Sequence, residues 1–197
     1  MNKKVVFIFA IICIIVSFIF YYIFFKNGNN KNRNQNEFVE DILDDLEKYE
    51  ANIDVIIKSN KNETKYNMIQ IVDKNYSELI LNSPENINGL ILEIRDDNLR
   101  ISNKNINMEK VFENYKNTFN NLLFLSSFIK EFHNNESTIY EENGEILIDI
   151  LLKNGNTYAK SKVLYIDKEK KLPKKLIIKD EDQNINTSII YNDIKIK

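Results

Sequence analysis

His133 and Cys13 are the side chains with the greatest intrinsic reactivity, and each is the single residue of its type. A cysteine–histidine nucleophilic pair needs both groups in one site, and zinc sites use several such ligands. Cys13 lies inside a long apolar run, which excludes that pair. We interpret His133 as a helix-end residue favoured by the helix dipole. The sequence predicts no catalytic residue, no metal site and no cofactor site.

Adjacent carboxylates are the next candidates, because two acids can serve as acid and base in glycan cleavage. They occur at Asp44-Asp45, Asp96-Asp97, Glu141-Glu142 and Asp180-Glu181-Asp182. Neighbouring residues on a strand point to opposite faces, and most of these pairs fall where strands are expected to end. The acidic run at Asp180 also lacks the glycine and distal glutamate of a calcium loop. Solvated turns are the prediction.

A basic group surrounds Pro173 and comprises Lys168, Lys170, Lys171, Lys174 and Lys175. It could meet an anionic wall polymer or an acidic partner. Asp167 and Glu169 dilute it, so a solvated turn is the preferred interpretation. The net charge of −2 and the lack of a concentrated basic face predict no nucleic-acid binding.

The N-terminal segment predicts a membrane anchor. Residues 1–4 form a basic leader, and Val5–Phe25 is an unbroken apolar run, whereas about 20 apolar residues suffice for a spanning helix. A cleavable signal is the first alternative, but no small-residue cleavage site follows. Lipidation at Cys13 is the second, and Ile12 is too large for a lipobox. We predict an uncleaved signal anchor with the following domain outside, although Lys26, Lys31 and Arg33 slightly oppose this orientation.

The rest of the chain predicts one α+β domain. Residues 26–36 form a polar linker, and 37–197 form the domain. Phe38, Ile42 and Leu46 lie at helical spacing within Glu37–Lys48. From Tyr49 the apolar period is two, and further strands are predicted from residue 65 to residue 102 and from residue 137 to residue 196. We expect a long antiparallel meander, curled as a half-open barrel, with helices on its concave face.

The predicted middle helix, Met108–Phe132, supplies the cover of this sheet. Its apolar residues form a broad surface that must be buried. A half-open barrel with a helical lid is also a suitable shape for an apolar pocket. The candidate pocket or lid residues are Leu122, Leu125, Phe128, Ile129 and Phe132.

Two passages of strands and turns have a distinctive layout. The first runs from Asn82-Ser-Pro84 to Leu99-Arg-Ile101-Ser-Asn103. The second includes Leu164-Tyr-Ile-Asp167, Leu172-Pro173-Lys-Lys-Leu176 and Ile189-Ile-Tyr191. Both passages resemble the LolA-like lipoprotein-carrier fold, and within it the germination lipoprotein GerS family of spore-forming Gram-positive bacteria. The resemblance covers residue 37 to the end. The GerS family is anchored by a lipid on a lipobox cysteine, and this chain departs from it because Cys13 lacks that context.

The resemblance implies a non-enzymatic, membrane-anchored extracytoplasmic protein without cofactors. GerS-like proteins are partners of a CwlD-type N-acetylmuramoyl-L-alanine amidase in modification of the spore cortex. We therefore expect a cell-wall amidase as the partner, the membrane as the contact of residues 5–25, and a location at the cell membrane or between the forespore membranes. The alternative is a carrier that binds a lipid or lipoprotein in the concave face.

Overall fold

The computed structural model describes residues 36–59, 61–96, 98–115 and 123–197. Contacts divide the chain into two units, Met1–Asp41 and Ile42–Lys197. Residues 36–41 are the described part of the first unit, and they are helical. The predicted leader, membrane helix and Cys13, together with the linker up to residue 35, lie outside the described residues and stay predictions. Within the described part, no helix has the length and apolar character needed to cross a membrane.

Two α-helices, eleven strands and two single-turn 3-10 helices, Glu85–Ile87 and Lys104–Ile106, make up the described secondary structure. Helix α1 comprises the described residues 36–45, and helix α2 is Leu125–Asn134. The strands are β1 (Tyr49–Lys58), β2 (Glu63–Asp73), β3 (Tyr76–Ser83), β4 (Leu90–Arg95), β5 (Asn98–Asn103), β6 (Met108–Phe112), β7 (Ser137–Glu142), β8 (Glu145–Asn156), β9 (Ala159–Asp167), β10 (Leu172–Lys179) and β11 (Ile185–Ile196).

The strands form one antiparallel sheet in the order β6-β5-β4-β3-β2-β1-β11-β10-β9-β8-β7. Strands β1 to β6 are one meander and β7 to β11 are a second. The pairing of β1 with β11 joins the two, so the last strand of the chain lies in the middle of the sheet. The predicted α+β class with a curved antiparallel meander is confirmed.

Alternation along each strand gives the sheet two faces, because successive side chains point to opposite sides. The helix-side face contains a transverse row, one side chain from each of five adjacent strands: Val55, Ile189, Leu176, Leu164 and Ile148. All five have 0% exposure. Burial of an aliphatic side chain of this size contributes about 1.5–3 kcal/mol relative to exposure. The row is therefore the centre of the core.

An asparagine-centred network crosses β1, β2 and β3 where the ladder is irregular. The β1–β11 register shifts after Asn52 and the β2–β3 register shifts after Asn67, so the extra residues lie in β11 and β3, and such bulges bend a strand and increase its twist. The Asn67 amide donates at 2.9 Å to both Asn52 and Asp54, while Asn82 donates to the Asn67 carbonyl at 3.0 Å. The bond from Asn67, followed by that from Lys65, lowers the pKa of Asp54.

The predicted helix Met108–Phe132 is wrong in its first part. Met108–Phe112 is strand β6, and the described helix begins only at Leu125. Pairing with β5 decides the difference, because Leu99–Asn103 and Met108–Phe112 form an antiparallel ladder, and Arg100 also donates to both carboxylate oxygens of Glu109, at 3.2 and 3.0 Å. A cross-strand partner of this kind overrides a weak local helical preference.

Candidate functional site

Helix α2 carries four of the five residues predicted for the pocket or lid. Leu125 and Phe128 are 0% exposed, and Ile129 and Phe132 are 8% exposed. Their spacing places them on one stripe of the helix, as burial requires. Leu122 lies outside the described residues. The four described residues are thus gathered on the buried side of α2, and their role in ligand binding stays a prediction.

The beginning of α2 is attached to the sheet by two polar side chains. The residue at the N-cap position, Phe124, is apolar and supplies no side-chain hydrogen bond. The Leu125 amide instead donates to the Tyr49 hydroxyl at 3.2 Å, and that hydroxyl donates to Gln70 at 2.9 Å. Gln70 also donates to the Leu123 carbonyl at 2.8 Å. Strands β1 and β2 therefore supply the cap that the helix sequence lacks.

A second attachment lies further along α2, at a fully buried lysine of β9. Lys162 has 0% side-chain exposure, and its Nζ lies 2.5 Å from the Glu131 carboxylate and 3.4 Å from the Ser127 hydroxyl. Burial lowers the pKa of Lys162, and the bond with Glu131 opposes that shift. Removing one partner of such a pair leaves an uncompensated charge in the interior. The pair therefore fixes α2 to the meander formed by β7 to β11.

The contact between Ser127 and Lys162 has the composition of a serine–lysine catalytic pair, which requires a neutral lysine to accept the serine proton. Glu131 favours the charged ammonium, and the 3.4 Å contact is long for a hydrogen bond between oxygen and nitrogen. The lysine is also closed off beneath α2. We interpret this group as structural.

Two clefts flank α2, and both have linings that mix polar and apolar residues, with Ile129 among those of the second. One, of about 210 Å³, is lined by residues that include Glu131, Asn134 and Asn156. The other, of about 400 Å³, includes Asp73 and His133. His133 lies in the last turn of α2, where the sequence predicted a helix-end residue.

The basic group around Pro173 contacts acids of the β7–β8 hairpin. Lys168 lies 2.5 Å from Glu141, and Lys174 forms an ion pair with Glu145. Lys175 lies over the Tyr165 ring, 4.6 Å from its centroid. This neighbourhood supports the interpretation as a solvated turn, because much of its positive charge is balanced locally.

The predicted acidic turn is also formed at Asp180, whose carboxylate accepts bonds from the backbone amides of Asp182 and Asn184 at 3.0 and 2.8 Å. Asp44 and Asp45 lie in α1, Glu141 and Glu142 end β7, and Asp97 is outside the described residues. Among the described residues, no group of three or more potential ligands is placed to hold a metal ion.

The polar attachments of α2 were not predicted from the sequence, although a signal was present. Lys162 follows the same alternation as Leu164 and Ile166, which predicts an inward side chain. Gln70 likewise lies on the same inward face of its strand as Met68 and Val72. A polar residue at an inward position requires a partner, but the partner belongs to a distant part of the chain.

Solved structures provide the comparison for this fold. A chain of the structure of the CwlD amidase from Clostridioides difficile in complex with the GerS lipoprotein is similar, with a TM-score of 0.54 and 22% identity, over 85% of this chain and 96% of that chain. An uncharacterized conserved protein from Thermus thermophilus has a TM-score of 0.50 and 12% identity, over 80% of this chain and 86% of that chain. A LolA superfamily protein from Nitrosomonas europaea has a TM-score of 0.40 and 9% identity, over 81% of this chain and 93% of that chain.

The sequence comparisons address the family directly. No protein with a curated description matches the chain. The family described as sporulation protein YdcC-like matches residues 3–197. Together with the first structural match, this confirms the predicted resemblance to a GerS-related fold. The chain belongs to the sporulation protein YdcC-like family.

Proposed function

We propose that this protein acts by binding rather than by catalysis, as a membrane-anchored partner of a cell-wall N-acetylmuramoyl-L-alanine amidase in sporulation or germination. The observation that carries the proposal is the similarity over 96% of a chain from a complex between an amidase and the GerS lipoprotein. The family assignment supplies the sporulation context. The folded domain lies outside the membrane, held there by residues 5–25.

The attachment of α2 supports a binding role that leaves the helix in place. Tyr49 and Gln70 hold its beginning, and Lys162 holds Glu131 further along. Lifting α2 from the sheet breaks these bonds and exposes Phe128 to water. A protein–protein interface on another surface requires neither step.

The test is affinity purification of the full chain, in detergent, with the amidase of the same organism. We expect a complex that elutes as one species in size-exclusion chromatography. The corresponding deletion strain should lose muramic lactam from its spore cortex. If the purified proteins do not associate and the deletion leaves cortex chemistry normal, the proposal is wrong.

A second candidate function is carriage of a lipid or lipoprotein. It is favoured by apolar side chains on the helix-side face of β4 and β5, where Leu92, Ile94 and Ile101 remain partly exposed. Native mass spectrometry of the gently purified full chain should then show a bound apolar ligand. Detection of amidase binding without any such ligand favours the first proposal.

A further inference from the structure

A cleft of about 890 Å³ lies at the end of the sheet, and no residue of α2 lines it. We call it the sheet-end cleft. Three connections contribute to its lining: β1–β2 through Lys61, β8–β9 through Tyr158, and β10–β11 through Glu181 and Asp182. Asn186 of β11 also lines it. None of the described candidate pocket residues of α2 lines this cleft.

Tyr158 is an aromatic side chain presented to solvent from a fixed backbone. Its exposure is 76%, the highest among the exposed large hydrophobic residues that the structure describes. Its amide donates to the Asn156 side chain at 2.9 Å, and its carbonyl accepts a bond from the Asn186 amide. The adjacent Thr157 carbonyl accepts from the Glu181 amide at 3.2 Å. The ring therefore extends from a well-held turn, which suits a platform for a flat apolar surface.

Polar groups that can pair with hydroxyl and amide groups surround this ring. The side chains of Asn62 and Asn186 add amide groups to the lining. Thr187 adds a hydroxyl, and both signs of charge are present, with Lys58 at the end of β1, Lys61 on the β1–β2 connection and Glu181 on the β10–β11 connection.

This combination matches the chemistry of a sugar ring. A pyranose presents an apolar face of C–H groups that stacks on an aromatic ring, while its hydroxyl and acetamido groups donate and accept hydrogen bonds at the edge. The balance of lysines and acids in the lining gives no strong attraction for a polyanion. A site with a few convergent polar groups and an aromatic wall is typical of small-ligand recognition.

We propose that the sheet-end cleft binds the amino-sugar glycan of the cell wall, with one pyranose ring stacked on Tyr158. The proposal rests on the proposed function for its location, because that function brings the domain to the wall. The cleft then holds the protein on the glycan while another surface contacts the amidase.

The test uses the full chain in detergent and a β-1,4-linked N-acetylglucosamine hexasaccharide, with binding followed by calorimetry and saturation-transfer NMR. We expect saturable binding that Y158A weakens at least tenfold and that Y158F retains within about threefold, because the ring rather than the hydroxyl supplies the stacking. The matched control is Y140A, which removes another exposed tyrosine, on β7, and should bind like the wild type.

Three outcomes would overturn the proposal: no saturable binding by the wild type, equal binding by Y158A and the wild type, or binding of a stem peptide in place of the hexasaccharide. Amidase association is measured separately on the same variants and should be unchanged in Y158A. A wild-type protein that binds the amidase but not the hexasaccharide therefore contradicts this inference alone, whereas a wild-type protein that binds the hexasaccharide but not the amidase contradicts the proposed function alone.

Discussion

At the scale of single residues, two buried tyrosines on the helix-side face have opposite environments. The Tyr49 hydroxyl donates to Gln70 and accepts a bond from the Leu125 amide. The Tyr191 hydroxyl is buried with no hydrogen-bond partner among the described residues. An unpaired buried polar group costs more than a paired one contributes. The same substitution should therefore affect the two positions differently.

We predict that Y49F lowers the free energy of unfolding by about 1–3 kcal/mol, because Gln70 and the Leu125 amide lose their shared partner. Y191F should leave it unchanged or raise it by up to about 1 kcal/mol, since it removes only an unpaired hydroxyl. Urea unfolding of the full chain at pH 7, followed by circular dichroism, measures both. Equal losses in the two variants would contradict this assignment of partners.

The same tyrosines predict a dependence on alkaline pH. Burial raises the pKa of Tyr191 and of Tyr49 above the usual value near 10. Above about pH 10 the unfolded chain therefore loses these protons while the folded protein keeps them, so stability falls as pH rises. Y191F should make this decline smaller by about 1.4 kcal/mol in total between pH 9 and pH 11, because one fewer tyrosine ionises in the unfolded chain. An unfolding series from pH 9 to 11 measures it, and parallel curves for Y191F and wild type would exclude the effect.

Glu131 is the residue whose removal should most disturb the attachment of α2. E131A leaves the Lys162 ammonium buried without its counter-charge, and we expect a loss of about 3–5 kcal/mol in the free energy of unfolding. The control is E136A, an exposed glutamate just after the helix, with an expected change within about 0.5 kcal/mol. Adding K162M to E131A should recover part of the loss. If the double variant is no more stable than E131A, the buried charge is not the cause.

At the scale of elements, the β7–β8 hairpin turns at Asn143 and Gly144, which have φ angles of 50° and 78°. A side chain at Gly144 would meet no atom within 4 Å, so substitution there tests backbone conformation alone. We predict that G144A lowers the free energy of unfolding by about 1–2 kcal/mol, whereas G144N costs less because asparagine tolerates this conformation better. Thermal unfolding of both variants gives the order, and a smaller loss for G144A would contradict the explanation.

The strands could be predicted because their apolar period is two and one face is buried. Strand β8 shows why its pattern appeared apolar on both faces: Ile146, Ile148 and Ile150 face the helix side, while Leu147 packs in a cluster with Val163 and Ile177 on the other face. Strand β6 could not be predicted in this way. It lies at an edge of the sheet, four of its five residues are exposed, and its pairing partner rather than its own pattern determines its conformation.

The candidate site was predictable only where it depends on local pattern. The apolar stripe of α2 was visible from the spacing of Phe128 and Phe132. The pairing of Lys162 with Glu131 joins residues far apart in the sequence, and nothing in either segment specifies the other. The same holds for Lys168 and Glu141, so the balance of the basic group could not be anticipated.

At the scale of the whole molecule, the two meanders depend on the last strand of the chain. Ile189 of β11 lies between Val55 of β1 and Leu176 of β10, and all three are fully buried. The core row is therefore incomplete until β11 has paired on both sides. Contacts between such distant segments are formed late, because closing the intervening chain costs entropy first.

The predicted anchor gives the last test, because it separates export from tethering. Fully extended, residues 26–36 reach at most about 40 Å, at 3.3–3.6 Å per residue, so an anchored domain stays close to the bilayer. We predict that replacing residues 1–25 by a cleavable export signal leaves residues 42–197 folded but releases them from the membrane. Cortex modification should then fall, because a released domain no longer concentrates its partner at the membrane surface. Muramic lactam analysis of spores from the replacement strain, with wild type and deletion as controls and with immunoblots of membrane and soluble fractions, measures both effects. Full cortex modification by the released domain would mean that the segment serves only for export.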